Sequence, residues 1–489
     1  MSLGKMLEES SQRYPNNAAT IYDGRSLTYK ALHGAVNSLG NELRSLGIRK
    51  GDKVAIMLSN CPEFVISYFA VQKIGAIAVT INILSTPYEL RHLLGNSDAK
   101  CLITETLLAK KYEEIREDIP LCNHIITTSG LDTASQFREI IEKGPFTFAM
   151  PDIVDDDPAV MIYTAGLTGR PLGAILTHRN LRTQSNLVSD LYHTTGKDRS
   201  LAIIPLFHAF GAVVNMLGAI RIGAGIVLMD RFTMDAIFNS IENDKVTYIA
   251  AVPRLFLGMV MYPDTEKYDL SSLDFCITGG SAMPPDFIPM FEDKFKCILR
   301  EGYGLTEASP VCSVGMRDMA HKPGSIGTVI PGVEAKAVDD RGNEVPRGEI
   351  GELIIRGVNV MKGYYKDEDA TARVIRDGWL YTSDLAKIDE DGYIFLTGLK
   401  KRMIITSGFN VYPREVEIVL QLHPAVQASM VVGKPDFMRG EIVKALIVKN
   451  PNIEVNEREL TRHCRKYLSS YKVPRAIEFV ESIDMPGVS

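Results

Sequence analysis

Apolar positions along the first four hundred residues follow two alternating periods. Leu32, Ala35, Val36, Leu39, Leu43 and Leu46 recur at spacings of three and four, one face of a helix, and Gly47 follows as a C′ residue able to end it. The apolar run from Val54 to Leu58 predicts a buried strand, and Pro62 opens a second helix where its missing N–H costs nothing. Ala76 to Ile81 predicts the next strand, and the segment after Pro87 the next helix. Such alternation is the mark of an α/β fold whose sheets are covered by helices. Between Gly324 and Arg356 the texture shifts to short strands broken by Pro331-Gly332, Asp340-Arg341-Gly342-Asn343 and Pro346-Arg347-Gly348, predicting hairpins of a small β subdomain. Beyond Gly398 the expected elements are a helix from Pro413, strands at Ala428–Val432 and Ile442–Val448, a helix over Asn456–Leu468 and a strand at Ile477–Val480. The organisation expected is a large N-terminal α/β domain with its β subdomain over residues 1–398, then a small α+β C-terminal domain over 399–489.

Composition narrows the possibilities. With 45% hydrophobic and 23% charged residues the chain has the balance of a globular protein with a sizeable core. A net charge of −6 argues against a nucleic-acid partner, while leaving room for small anions held by backbone amides. Seven scattered cysteines with no CxxC spacing predict buried thiols in a reducing compartment and no zinc site. Met1 to Arg13 mixes charges among its apolar residues, unlike a signal peptide. Phe69 to Leu84 is interrupted by Gln72, Lys73 and Asn82, and reads as a buried helix and strand, too short for a membrane span. The expectation is a cytoplasmic protein without a transmembrane segment, its oligomeric state open.

Candidate chemistry begins at Tyr163-Thr164-Ala165-Gly166-Leu167-Thr168-Gly169-Arg170-Pro171-Leu172-Gly173, which follows the apolar Val160-Met161-Ile162, a strand end. A turn with three glycines and two hydroxyl residues can aim amides and hydroxyls at phosphate oxygens. It lacks the Gly-Lys-Ser/Thr of a Walker A loop, and read alone such a segment is more often only a turn.

Its continuation, Ala174-Ile175-Leu176-Thr177-His178-Arg179-Asn180, changes the reading. Together these segments resemble the phosphate-loop signature YTSGTTGxPKG, followed by LTHxN, of the adenylate-forming superfamily. Further motifs follow in the family's order: Pro205-Leu206-Phe207-His208-Ala209-Phe210-Gly211, Thr278-Gly279-Gly280-Ser281-Ala282, Gly302-Tyr303-Gly304-Leu305-Thr306-Glu307, Tyr381-Thr382-Ser383-Asp384 and Ser407-Gly408-Phe409-Asn410-Val411-Tyr412-Pro413. The resemblance covers nearly the whole chain and is strongest to fatty-acyl-CoA ligases. It implies an acid–thiol ligase that uses ATP, Mg²⁺ and coenzyme A on a small carboxylic acid. By resemblance, Thr164, Gly166, Thr168 and Gly169 meet phosphate, Gly280, Ser281, Ala282, Tyr303 and Gly304 the adenine, Thr306 phosphate, Asp384 the ribose, and Glu307 the Mg²⁺. Thr164, Thr168, His208, Thr306 and Glu307 form the implied catalytic set; His208, Phe210 and Gly211 the acyl pocket; Ser407, Gly408, Phe409, Lys434 and Arg439 the coenzyme A side. The residues also carry plainer readings: Tyr303 and His208 as core side chains, Thr306-Glu307 as a helix start, Asp384 as a turn aspartate, and Lys434 and Arg439 as part of a surface turn joining two strands.

Five departures remove groups the family supplies. Leu172 stands in place of a lysine, Leu167 of a threonine, Leu399 of an arginine and Arg402 of the hinge aspartate. Asp484-Met485-Pro486-Gly487-Val488-Ser489 stops short of the family's C-terminal lysine, and the expectation is a chain clipped before it. Lys400, Lys401 and Lys472 are substitutes by charge alone. The acid is expected to be a medium- or long-chain fatty acid, because Ala212 to Gly218 is largely apolar. An aryl acid, an acceptor other than coenzyme A, and a nucleotide- or acyl-binding relative without turnover stay open.

Overall fold

Two large sheets, each parallel at its centre, carry the expected alternation. The computed structural model describes residues 1–130, 134–165, 170–399, 403–451 and 453–483. In the nine-stranded sheet Ala18–Tyr22, Gly225–Leu228, Arg199–Ala202, Tyr248–Ala251, Phe275–Thr278 and Ile298–Gly304 run parallel, and antiparallel strands close both edges. In the seven-stranded sheet Lys53–Met57 lies between Ile77–Thr80 and Ala99–Glu105, with Pro158–Ala165 and then the antiparallel Pro171–Thr177 on one side. Helices start and stop where the sequence signals them. Tyr29–Ser45 is followed by Gly47 at φ 83°, and Pro62–Lys73 and Pro87–Ser97 each begin at a proline.

The Pro62–Lys73 helix is buried on every face. Two of its polar groups find partners there: Gln72 Nε2 donates to the Ala159 carbonyl at 2.9 Å and Lys73 Nζ to Asn37 Oδ1 at 2.8 Å. This accounts for the apolar stretch from Phe69, which continues into the strand Ile77–Thr80. No described helix is long and apolar enough to cross a membrane. All seven cysteines are free thiols and buried, as expected.

A third sheet of five strands, with Val333–Val338 paired to Gly351–Gly357, is the expected β part. The fourth, also of five strands, packs helices Pro413–Gln421 and Glu457–Tyr467 over its own core of Val416, Leu420, Ala445 and Leu460. Its long hairpin, Val426–Asp436 with Gly440–Lys449, extends several residues beyond the strands expected there. One local expectation shifts. The strand at Val160 does not end at Ile162 but runs to Ala165, because Tyr163 and Thr164 pair with Gly173 and Leu172 across a hairpin. The phosphate-loop residues Gly166, Leu167, Thr168 and Gly169, the segment Lys400-Lys401-Arg402 and residues 484–489 lie outside the described residues.

The C-terminal domain docks on the helix Pro87–Ser97 through a buried charge cluster. Lys472 Nζ lies 2.8 Å from Glu89 Oε1 and 2.6 Å from Glu415 Oε1, with all three residues less than a tenth exposed. Ser469 donates to Glu89 at 2.6 Å, and Thr86 Oγ1 to the Tyr467 carbonyl at 2.9 Å. The two carboxylates hold the Lys472 ammonium well above the usual lysine range, so it stays charged. Lys472 is therefore committed to Glu89 and Glu415, and does not supply the free cation that its charge suggested.

Removing one partner of a buried ion cluster strands the others without compensation, at a cost of about 3–5 kcal/mol. Lys472→Met is expected to lower the midpoint of thermal unfolding and expose the interdomain region to limited proteolysis. The triple variant Lys472→Met/Glu89→Gln/Glu415→Gln should recover much of that loss.

Candidate active site

The large sheets meet the C-terminal domain around a cleft of 1610 Å³. That exceeds the roughly 300–1,000 Å³ of a single small-ligand pocket. Its lining falls into three parts: a polar part at Tyr303, Thr306, Glu307, Tyr381 and Asp384, an apolar part behind Phe210, and a mouth at Arg254, Ser407 and Gly408.

In the polar part, Glu307 sits on the short 3₁₀ turn Thr306–Ala308 that follows the strand Ile298–Gly304. Thr164 Oγ1 donates to its Oε1 at 3.1 Å and the Tyr364 hydroxyl at 2.7 Å, while the Met361 amide donates to the Glu307 carbonyl at 2.8 Å. The Tyr303 hydroxyl donates to Asp384 Oδ2, so the two residues expected at adenine and ribose are in direct contact. Asp384 follows Ser383, which stands at φ 63° and whose amide donates to Glu352 at 3.1 Å. Gly280, Ser281 and Ala282 form an exposed rim of the same part, with Gly280 at φ 83°. Gly304 is demanded by the fold itself: a Cβ there would fall 1.9 Å from the Pro310 carbonyl oxygen. Leu172 also faces the cleft, an apolar side chain where the family pattern carries a lysine.

His208 is positioned by Asn60. The Asn60 side chain accepts from the Leu206 amide at 2.8 Å and donates to the carbonyls of Ala202 and Ile204, which fixes the loop before the histidine. Burial pushes the His208 imidazole down to about 4, so it is neutral at pH 7. Its ring lies 4.9 Å from Phe207 and 6.1 Å from Phe409 of the C-terminal domain. Phe210 lines the cleft, whereas Gly211 does not: a Cβ there would meet the Pro205 carbonyl oxygen at 2.6 Å, so backbone packing explains the glycine.

At the mouth Phe409 stacks on Tyr471 at 4.5 Å. Gly408 stands at φ 84°, and a Cβ on it would lie 2.7 Å from Val252 Cγ1. The Ser407 hydroxyl accepts from Arg254 and from Arg439, both at 3.4 Å, one arginine from each domain. Lys434 is exposed on the long C-terminal hairpin and does not line the cleft.

Sequence reasoning missed two cleft residues. Glu301 directly precedes the Gly302–Glu307 motif; its Oε1 accepts from the Met283 amide at 3.4 Å and its Oε2 is buried without a partner. Burial pushes its carboxyl up to about 7. Arg254 lies on the helix Pro253–Met261, 153 residues from the hydroxyl it meets, and no local signal marked it. The motif Leu176-Thr177-His178-Arg179-Asn180 proves to be a capping box. Thr177 and Asn180 bond reciprocally at the start of the helix His178–Ser185, and buried His178 accepts from the Leu3 amide at 3.2 Å.

Comparison with known proteins agrees with this architecture. Residues 7–365 match the family model for AMP-binding enzyme, and residues 415–487 that for AMP-binding enzyme C-terminal domain. A long-chain-fatty-acid–CoA ligase from Bacillus subtilis (strain 168) is 34% identical, over 100% of this chain and 92% of that protein. A feruloyl-CoA synthase from Amycolatopsis sp is also 34% identical, over 99% of this chain and 96% of its own. The solved structure of an amide bond synthetase from Marinactinospora thermotolerans superposes with a TM-score of 0.91 at 28% identity, covering 99% of this chain and 97% of that one. With family matches spanning both the paired sheets and the C-terminal domain, and the motif residues gathered round one cleft, the chain belongs to the AMP-binding enzyme family.

Proposed function

We propose that this acid–thiol ligase joins a medium- or long-chain fatty acid to coenzyme A through an acyl-adenylate. The observation that carries the choice of acid is the part of the cleft behind Phe210. Its walls, Leu187, Val188, Leu191, Val214 and Val314, offer aliphatic surface and no side-chain hydrogen-bonding group to a polar aryl acid. The fatty-acid ligase among the relatives supports this reading, and the feruloyl-CoA synthase names the competitor.

In the first half-reaction a carboxylate oxygen attacks the α-phosphorus of ATP; that O–P bond forms as the bond to pyrophosphate breaks. In the second the thiol sulfur attacks the acyl carbon, the C–O bond to AMP breaks and the thiol proton leaves. Splitting the reaction replaces hydroxide, a poor leaving group, with AMP. Tyr303 offers its ring to adenine beside Gly280, Ser281 and Ala282, while Asp384 accepts from ribose hydroxyls. Thr164 and Thr306 present hydroxyls to phosphate, a role we extend to Gly166, Thr168 and Gly169. Glu307 fits Mg²⁺, a cation usually held by one or two carboxylates plus phosphates and waters. Among the described residues no cluster of three or more potential ligands competes with it. Bound there, Mg²⁺ would neutralise charge on the phosphate oxygens. His208, neutral at pH 7, serves as a hydrogen-bonding group to the acid carboxylate and not as a cation. Ser407, Gly408 and Phe409 line the pantetheine approach, and Arg439 acts on it through Ser407.

Mass spectrometry of products from MgATP, coenzyme A and a panel of alkyl and aryl acids tests the proposal. Acyl-CoA from fatty acids is the expected product; thioesters of aryl acids alone would overturn it. Glu307→Gln keeps an acceptor for Thr164 and Tyr364 but loses the charge, and pyrophosphate release should fall about 10²-fold or more. Gly408→Ala adds a contact to Val252 and forces a side chain into a left-handed conformation costing about 1–3 kcal/mol. Thioester formation should then fall about 5- to 150-fold, while pyrophosphate release without coenzyme A stays near the wild-type rate.

Glu301 generates a pH-dependent expectation. Its folded value of about 7 lies above the ordinary glutamate value of 4.5, so the folded state binds a proton between those values that the unfolded state does not. Stability therefore falls as pH rises through that window, by at most about 3 kcal/mol, and is flat above it. Thermal unfolding at pH 5 and pH 8 should show Glu301→Gln gaining on the wild type at the higher pH only.

A further inference from the structure

Among the described residues, the part of the cleft behind Phe210 is walled largely by aliphatic side chains. The helix Leu187–Tyr192 forms one wall with Leu187, Val188 and Leu191. Opposite it runs Gly211–Leu217, a π-helical segment, a form that recurs at functional sites. Within it Val213 turns to the core of the seven-stranded sheet while Val214 turns to the cleft. The two helical segments approach closely at Gly218, the residue after the π-helical one, where a Cβ would lie 3.2 Å from Val188 Cγ2.

Tyr192 borders this space together with Leu187, Val188, Leu191 and Val214. It is 2% exposed and lines the cleft, and its ring stacks on Phe275 at 4.5 Å; Phe275 in turn stacks on Tyr248 at 5.0 Å. Phe275 and Tyr248 sit on adjacent parallel strands inside the nine-stranded sheet, so the stack is founded on its interior. The Tyr192 hydroxyl donates to the Gly315 carbonyl, which stops the ring from swinging away. The next residue, His193, is at φ 61° and already at the surface, bonded to the exposed Asp318 at 2.8 Å. Tyr192 thus lies one residue from the surface.

We infer that Tyr192 is the residue that limits acyl chain length: the methyl end of the substrate abuts its ring, and an acid one or two methylenes too long is excluded. This rests on the fatty-acid reading above. A rigid floor predicts a sharp upper limit instead of a plateau, and a pocket of this kind discriminates one methylene by about 10- to 200-fold. The ring is held by stacking on one face and by a hydrogen bond at its tip, so it does not yield to a longer chain as a methionine would.

The test measures kcat/KM for thioester formation over straight-chain acids from four to eighteen carbons, as ratios within each enzyme preparation, which do not depend on the fraction folded. Tyr192→Leu is expected to raise the ratio of the first excluded acid to the wild-type optimum by about 10-fold or more. Val214→Phe, which narrows the same space from its wall, is expected to move the limit to shorter acids. An active fatty-acid ligase whose profile is the same in the wild type and both variants would overturn the floor and leave the fatty-acid reading standing. A wild type that forms thioesters from aryl acids and from no alkyl acid would overturn both.

Discussion

One carboxylate in the polar part of the cleft staples two sheets together. Glu307 stands on the turn leaving the nine-stranded sheet, yet its partners Thr164 and Tyr364 belong to strands of the seven-stranded sheet. The same turn is tied again through its backbone to Met361. Both donors bond to Oε1 and the residue lines the cleft, so the group proposed for Mg²⁺ is also the group that holds the seam. A carboxylate anchored this way loses little freedom when it binds a cation, which is what preorganisation of a charged site requires. It also explains why hydroxyl, aromatic and acidic residues from distant parts of the chain meet there: the seam between two parallel-centred sheets gathers their strand ends.

Much of this was legible because local chemistry fixes local structure. Pro62, Pro87 and Pro413 begin helices, and Gly47 ends one, for reasons carried within a few residues. Motifs read from short windows, such as Tyr303 to Glu307, sit in the cleft as expected. The failures share a different cause. Thr164 was read just past a strand end but lies within the strand, because its pairing with Leu172 is decided across a turn. Gly211 looks like a ligand-facing glycine, yet the atom that excludes a Cβ there is the backbone carbonyl of Pro205. Thr177 and Asn180 match a functional motif while acting as a helix cap. Lys472 looked like a spare cation because Glu89, its partner, is 383 residues away. Tyr192 carries no motif at all; its meaning comes from Phe275, Tyr248 and Gly315, which only the tertiary fold brings beneath it.

In the proposed reaction the second step needs the cleft covered from the coenzyme A side, and the contacts of the C-terminal domain suit that step. With Phe409 beside His208, Gly408 against Val252 and Ser407 shared by Arg254 and Arg439, the turn at 407–409 covers the cleft from the coenzyme A side. That geometry suits thiol attack on an adenylate already formed. Undocking the domain would break the Glu89–Lys472–Glu415 cluster and expose the apolar faces of Phe409 and Tyr471. Lys472 and Glu415 would stay together on the C-terminal domain and only Glu89 would be left behind. Water would then replace a single carboxylate on one ammonium and hydrate the carboxylate that stays. A buried pair whose desolvation cost nearly cancels its attraction specifies one docking geometry sharply while adding little to the depth of the well.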